Sequence, residues 1–204
     1  MDRSTALWNA NADLARACLE HGFVQGIASG ELPRERFVSY VEQDAFFLEG
    51  FARSYALAFA KAGREALGEV RALLDGVFAE LELHRGYAER WGARLDPEPA
   101  PATLSYTDFL LRVAWSEPVG RILAAMTPCM RLYAFLGQRL VDVAAADSPY
   151  REWVETYADA DFERLARRME ALLDGHDDGS DAIAGHYRTA MRLEHAFFDQ
   201  AGGG

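Results

Sequence analysis

Met126-Thr127-Pro128-Cys129-Met130-Arg131-Leu132-Tyr133 decides how the chain reads. The run sits inside a long apolar segment with helical periodicity. A proline there removes one backbone donor and crowds the carbonyl of Ala124, so a kink is expected. Cys129 follows at once, and Tyr133, four residues on, shares its face. Buried free cysteine usually behaves as a small hydrophobe, and Cys18 reads that way. A thiol beside a proline, with a phenol on its face, reads either as packing or as a site whose partners lie elsewhere in the chain.

Working outward, helical periodicity continues on both sides, and no period-2 strand stands out. Ser116 can cap the helix through Cys129, which should reach about Ala145. Upstream, Thr103 or Ser105 begins a helix to about Trp115, after the proline-rich loop from Leu95 to Pro101. Further back, a helix carrying Leu67, Val70, Leu74, Val77, Leu81 and His84 should stop at Gly92. Another runs from Pro33 to about Ala62. Ser4 can cap a first helix that bears Leu7, Leu14 and Cys18 and ends near Gly22, and Phe23 to Gly30 reads as an apolar turn. Downstream, Asp147-Ser148-Pro149 opens a helix interrupted around Tyr157-Ala158-Asp159 and resumed to Leu173. After a polar loop, a last helix runs to about Gln200. The expected fold is an all-α bundle of seven or eight helices forming one domain over residues 1–201, with a disordered tail at 202–204.

Composition narrows the class. At 204 residues the chain can bury roughly 70% of its unfolded surface. A formal net charge of -11 and the lack of any basic stripe argue against nucleic-acid binding. The two cysteines are far apart and form no CxxC pattern. The N-terminus shows no signal-peptide core, and no apolar stretch reaches transmembrane length, so no membrane association is expected. A cytoplasmic protein with reduced thiols follows.

Two carboxylates stand on aromatic helix faces. Asp44 has Tyr40, Phe47, Leu48 and Phe51 at helical steps, where an amphipathic helix keeps its apolar side. It needs a partner, either a ligand or an Arg or Tyr from another helix, because unpaired burial is costly. Glu194 has Tyr187, Met191, Phe197 and Phe198 around it. Such surroundings should raise its pKa toward that of a neutral-pH general acid, unless its oxygens reach solvent.

In order along the chain, several stretches resemble the TenA family, the thiaminase II-like proteins with the all-α haem-oxygenase-like fold. They are Phe23-Val24-Gln25-Gly26-Ile27 with Gly30 and Leu32-Pro33, then Tyr40 to Asp44, Ser105-Tyr106-Thr107, Pro128-Cys129 through Tyr133, Tyr157, and Glu194 with Phe197. The resemblance implies roles for these residues. Cys129 matches the nucleophile, and Glu194 the carboxyl that exchanges a proton with a pyrimidine ring nitrogen. Asp44 matches the group that holds the ring edge and exocyclic amine. Tyr106, Tyr133, Tyr157 and Phe197 match the pocket wall, as does Phe47, which stands where the family often has tyrosine. Gly22, Met130, Arg131 and Ala158 also depart from the common pattern.

The implied reaction replaces the amine of a 5-aminomethyl-4-amino-2-methylpyrimidine, or the thiazolium of thiamine, by hydroxyl. It needs no metal and no cofactor, and a homotetramer is implied. Alternatives are a metal-dependent or cofactorless oxidase on the same fold, or a non-catalytic pyrimidine-binding regulator. No Glu-x-x-His pair of the kind di-iron bundles use occurs in the sequence.

Overall fold

A computed structural model describes residues 1–202, which form ten α-helices and no strand. They are α1 Arg3–Ala10, α2 Ala12–Leu19, α3 Gly22–Ser29, α4 Arg34–Lys61, α5 Leu67–Trp91, α6 Pro101–Ser116, α7 Val119–Leu140, α8 Arg151–Ala158, α9 Ala160–Gly175 and α10 Asp181–Gly202. The all-α expectation holds, but ten helices stand where seven or eight were expected. The first segment breaks at Asn11, whose side-chain amide donates to the Leu7 carbonyl at 2.8 Å. Phe23 to Gly30, read as a turn, is instead the helix α3. Its N-terminal Phe23 amide is capped by His21 Nδ1 at 3.1 Å, and Gly30 ends it in the left-handed region. Gly202 closes α10 rather than opening a tail, and Gly203 and Gly204 lie outside the described residues.

Helix α7 is the core element. It packs against α4, α6, α8, α9 and α10, and 16 of its 22 residues are buried. It continues through Pro128 as one helix. Contrary to the sequence expectation, α7 has the length and mean hydropathy (1.2) of a membrane span. That apolar character is used inside the bundle, where 78% of the span is covered by other helices. Each large side chain buried here contributes roughly 1.5–3 kcal/mol.

Close approaches fix the neighbours of α7. At Gly137 a side chain would run into the backbone of Tyr157 and Ala158, so only glycine lets the end of α8 bring Tyr157 against α7. Gly50 does the same for α4 and Thr107 of α6, next to Tyr106. Polar ends are secured by long-range caps. Asp174 at the end of α9 accepts from the Ser4 amide at 2.7 Å and from its hydroxyl at 2.9 Å, so Ser4 is the capped residue rather than the cap. Lys61, the chain's single lysine, donates to the carbonyls of Ala114, Trp115 and Glu117 at 2.7 to 2.9 Å and closes the C-terminus of α6.

Candidate active site

The sequence-predicted residues converge between α4, α5, α6, α7, α8 and α10. Helix α7 supplies Cys129 and Tyr133 from one face, and α10 supplies Glu194 and Phe197. From α4 come Asp44, Phe47 and Tyr40, from α6 Tyr106, and from α8 Tyr157. Their aromatic rings form a continuous wall. Phe47 lies 4.8 Å from Tyr106 and 6.0 Å from Phe197 between centroids, and Tyr133 lies 4.7 Å from Tyr157.

Glu194 is 2% exposed, so its oxygens do not reach solvent. Oε1 accepts from the Tyr106 hydroxyl at 2.7 Å. Burial pushes its pKa up to about 8, with Asp44 adding to the rise, while the Tyr106 bond and the nearby Cys129 thiol oppose it. The carboxyl is therefore largely protonated at neutral pH.

Cys129 is half-buried, although its neighbours on α7 at 128 and 130 are buried. Burial holds its thiol well above the ordinary value. Glu194, Glu80 and Asp44, all acidic, push the same way. No cation is among these influences, so the resting group is the neutral thiol. Thiol and Glu194 carboxyl act on each other's titration without meeting the geometry of a full hydrogen bond.

Asp44, 5% exposed, meets His84 of α5, with Oδ2 2.9 Å from Nε2. Its partner is thus a histidine rather than the Arg or Tyr expected. Burial alone would lower the His84 pKa, but Asp44 and Glu80 raise it above the ordinary value. Glu80, one turn before His84, accepts from the Tyr157 hydroxyl at 3.0 Å. Burial, with Asp44 next in size, pushes Glu80 up to about 7, against the pull of His84 and Tyr157. The buried phenols extend the network. Trp153 Nε1 donates to the Tyr40 hydroxyl at 3.2 Å, which donates to that of Tyr133 at 3.3 Å. Burial above all keeps Tyr40, Tyr106, Tyr133 and Tyr157 protonated, hence donors.

Glu80 and His84 are the site residues that the sequence reading did not assign. Their i, i+4 spacing puts both on one face of α5, and His84 lies in the apolar stripe of that helix, the same signal that singled out Asp44 and Glu194.

Elsewhere, His21, His195 and Asp199 bring ligand-type atoms within 4.8 Å of one another. His21 and Asp199 border a cavity of about 630 Å³. The ring of His21 is already committed. Nδ1 accepts from the Phe23 amide, which leaves Nε2 to donate to Asp199 Oδ1 at 3.0 Å. His195 Nδ1 lies 3.0 Å from Oδ2 of the same carboxylate. The trio ties the start of α3 to the end of α10.

The chain is similar to proteins already described. An aminopyrimidine aminohydrolase of Halalkalibacterium halodurans is 32% identical, with 98% of this chain and 96% of that protein aligned. A thiamine biosynthesis multifunctional protein ThiED of Corynebacterium efficiens is 33% identical over 96% of this chain, which spans 28% of that longer protein. A solved TenA family transcription regulator from a Silicibacter species superposes with a TM-score of 0.89 at 28% identity, covering 98% of this chain and 96% of that one. A family model described as TENA/THI-4/PQQC matches residues 8–202, and the chain belongs to that family.

Proposed function

We propose that the chain is a hydrolase of thiamine salvage, an aminopyrimidine aminohydrolase of thiaminase II type. It replaces the 5-aminomethyl amine, or the thiazolium of thiamine, on a 4-amino-2-methylpyrimidine by hydroxyl. The observation that carries this reading is the placement of a half-buried thiol beside a protonated, buried glutamate inside an aromatic wall, with Asp44 on the facing helix.

Direct displacement by water at the methylene is slow, and covalent addition divides it into two easier steps. Asp44, oriented by His84, accepts from the exocyclic amine and fixes the ring. Phe47, Tyr133, Tyr157 and Phe197 supply the apolar and stacking surface. The acidic surroundings do not favour a free thiolate, so addition must be coupled to proton movement. The Glu194 proton passes to a ring nitrogen while the ring accepts sulfur, and the resulting carboxylate takes the thiol proton. Electron density in the adduct then expels the leaving group from the methylene. Water adds there, and Cys129 departs as aromaticity returns, with the ring-nitrogen proton passing back through Glu194 to the thiol. Tyr106 holds Glu194 in place throughout. No metal or organic cofactor takes part in this scheme. The cytoplasmic location expected from the sequence, and the homotetramer implied by the resemblance, belong to the same proposal.

The test is turnover of thiamine and of the 5-aminomethylpyrimidine side by side, read as hydroxymethylpyrimidine formed. Hydrolysis of at least one is expected, and activity on neither contradicts the proposal.

A further inference from the structure

The scheme above leaves one proton without an owner. Glu194 serves the ring nitrogen, yet an amine leaves only as ammonia, and the incoming water must give up a proton. A cavity of about 460 Å³ adjoins the site and is bordered by Glu80, Gly76, Val77, Met130, Thr156 and Phe162. Glu80 is positioned from both sides. On one, it holds the Tyr157 hydroxyl at 3.0 Å and is close enough to raise the Cys129 thiol. On the other, it faces the cavity. The rim includes the exposed Glu155, Asp159 and Asp161, of which Glu155 pairs with Arg151 and Asp161 with Arg164. While still attached to the methylene, both leaving groups of the proposed reaction can carry positive charge, as an ammonium or as a thiazolium, and both depart neutral. A mostly apolar cavity with a carboxyl at its inner wall suits them.

We propose that this cavity receives the leaving group and that Glu80 exchanges the proton with it. The inference rests on the pyrimidine hydrolase reading. Glu80 and the departing nitrogen together hold one proton. As the C–N bond breaks, that proton stays with nitrogen, ammonia leaves, and Glu80 is a carboxylate. As the new C–O bond forms, Glu80 takes a proton from water and is an acid again. The sum is amine plus water giving alcohol plus ammonia. Thiazolium departs as a neutral thiazole and needs no proton, so with thiamine only the water step calls on Glu80.

The groups that face Glu80 set its pH response. Asp44, Tyr40 and Tyr55 lie on α4, and His84 and Tyr87 on α5. Cys129 lies on α7 and Tyr157 on α8. Burial and Asp44 favour the protonated form that the first step uses, while His84 and the Tyr157 hydroxyl oppose it.

The experiment is Glu80→Gln, which can still accept the Tyr157 bond. Turnover of the 5-aminomethyl substrate should fall on the order of 100-fold or more. With thiamine, added azide should restore the variant's rate toward wild type and form the azidomethylpyrimidine, because azide adds without releasing a proton and thiazole departs without taking one. Unchanged turnover on the amine substrate, or a loss on thiamine that azide does not relieve, overturns the role of Glu80. Wild-type protein inactive on both substrates would sink the hydrolase reading instead, so the two failures are distinct.

Discussion

Two positions apart on α7, Cys129 and Arg131 point to different sides of the helix, since i and i+2 do not share a face. Around Arg131 the charges are matched. Its guanidinium donates to both oxygens of Glu170 at 2.7 Å, and to Glu163 at 2.8 Å. Burial alone would raise the Glu163 carboxyl, but Arg131 and Gln138 pull it below its ordinary value. Around Cys129 the charges are unmatched. Glu194 and Glu80 are pushed up to about 8 and about 7, and the thiol is pushed up as well. The matched side ties α7 to α9. The unmatched side stores protons that can move at neutral pH, which is where perturbed groups serve chemistry. One helix thus separates a structural charge cluster from a chemical one.

Changes on the unmatched side should cost activity. Glu194→Gln should lower turnover roughly 10²–10⁴-fold, the usual range for a lost general acid. In wild type, activity that depends on protonated Glu194 should decline as pH rises through about 8, and the variant should lose that limb. Stability should fall over the same rise in pH. The folded pKa of Glu194 lies above its unfolded value near 4.5, so the folded state binds the extra proton between those limits. Its stabilising effect is complete below the lower value and is lost as pH rises through the upper one. The thermal midpoint of the variant should therefore gain on wild type between pH 5 and pH 8, and a gap that does not widen would contradict the assignment.

Changes on the matched side should cost stability and spare activity. Arg131→Met leaves Glu170 mostly buried without its cation and Glu163 with only Arg167, which should cost about 3 kcal/mol by denaturant titration. Turnover per folded molecule should stay close to wild type. A large loss of activity in folded protein would show that the two sides are not separate.

Much of this was legible in the sequence. Helical periodicity, Gly92 as a stop and the broken helix after Tyr157 located most elements. The order of Asp44, Tyr106, Cys129, Tyr157 and Glu194 along the chain pointed to the site. What escaped had physical reasons. The Asn11 break depends on a side-chain bond to Leu7 that competes with the helix, and α3 is only eight residues long with a histidine cap contributed from before it. Glu80 sits among the acidic residues of α5, and periodicity cannot say which of them turns inward. His84 was visible as a polar break in an apolar stripe, but its partner lies on another helix, 40 residues away in the chain. Arg131 looked like a departure from the family pattern, and the structure gives it two glutamates from α9.

Release of ammonia from the 5-aminomethylpyrimidine by Cys129→Ser, measured beside wild type with substrate binding checked in both, tests the central claim most directly. The account predicts turnover lost to background while binding remains measurable. Retained turnover in a folded variant would contradict it.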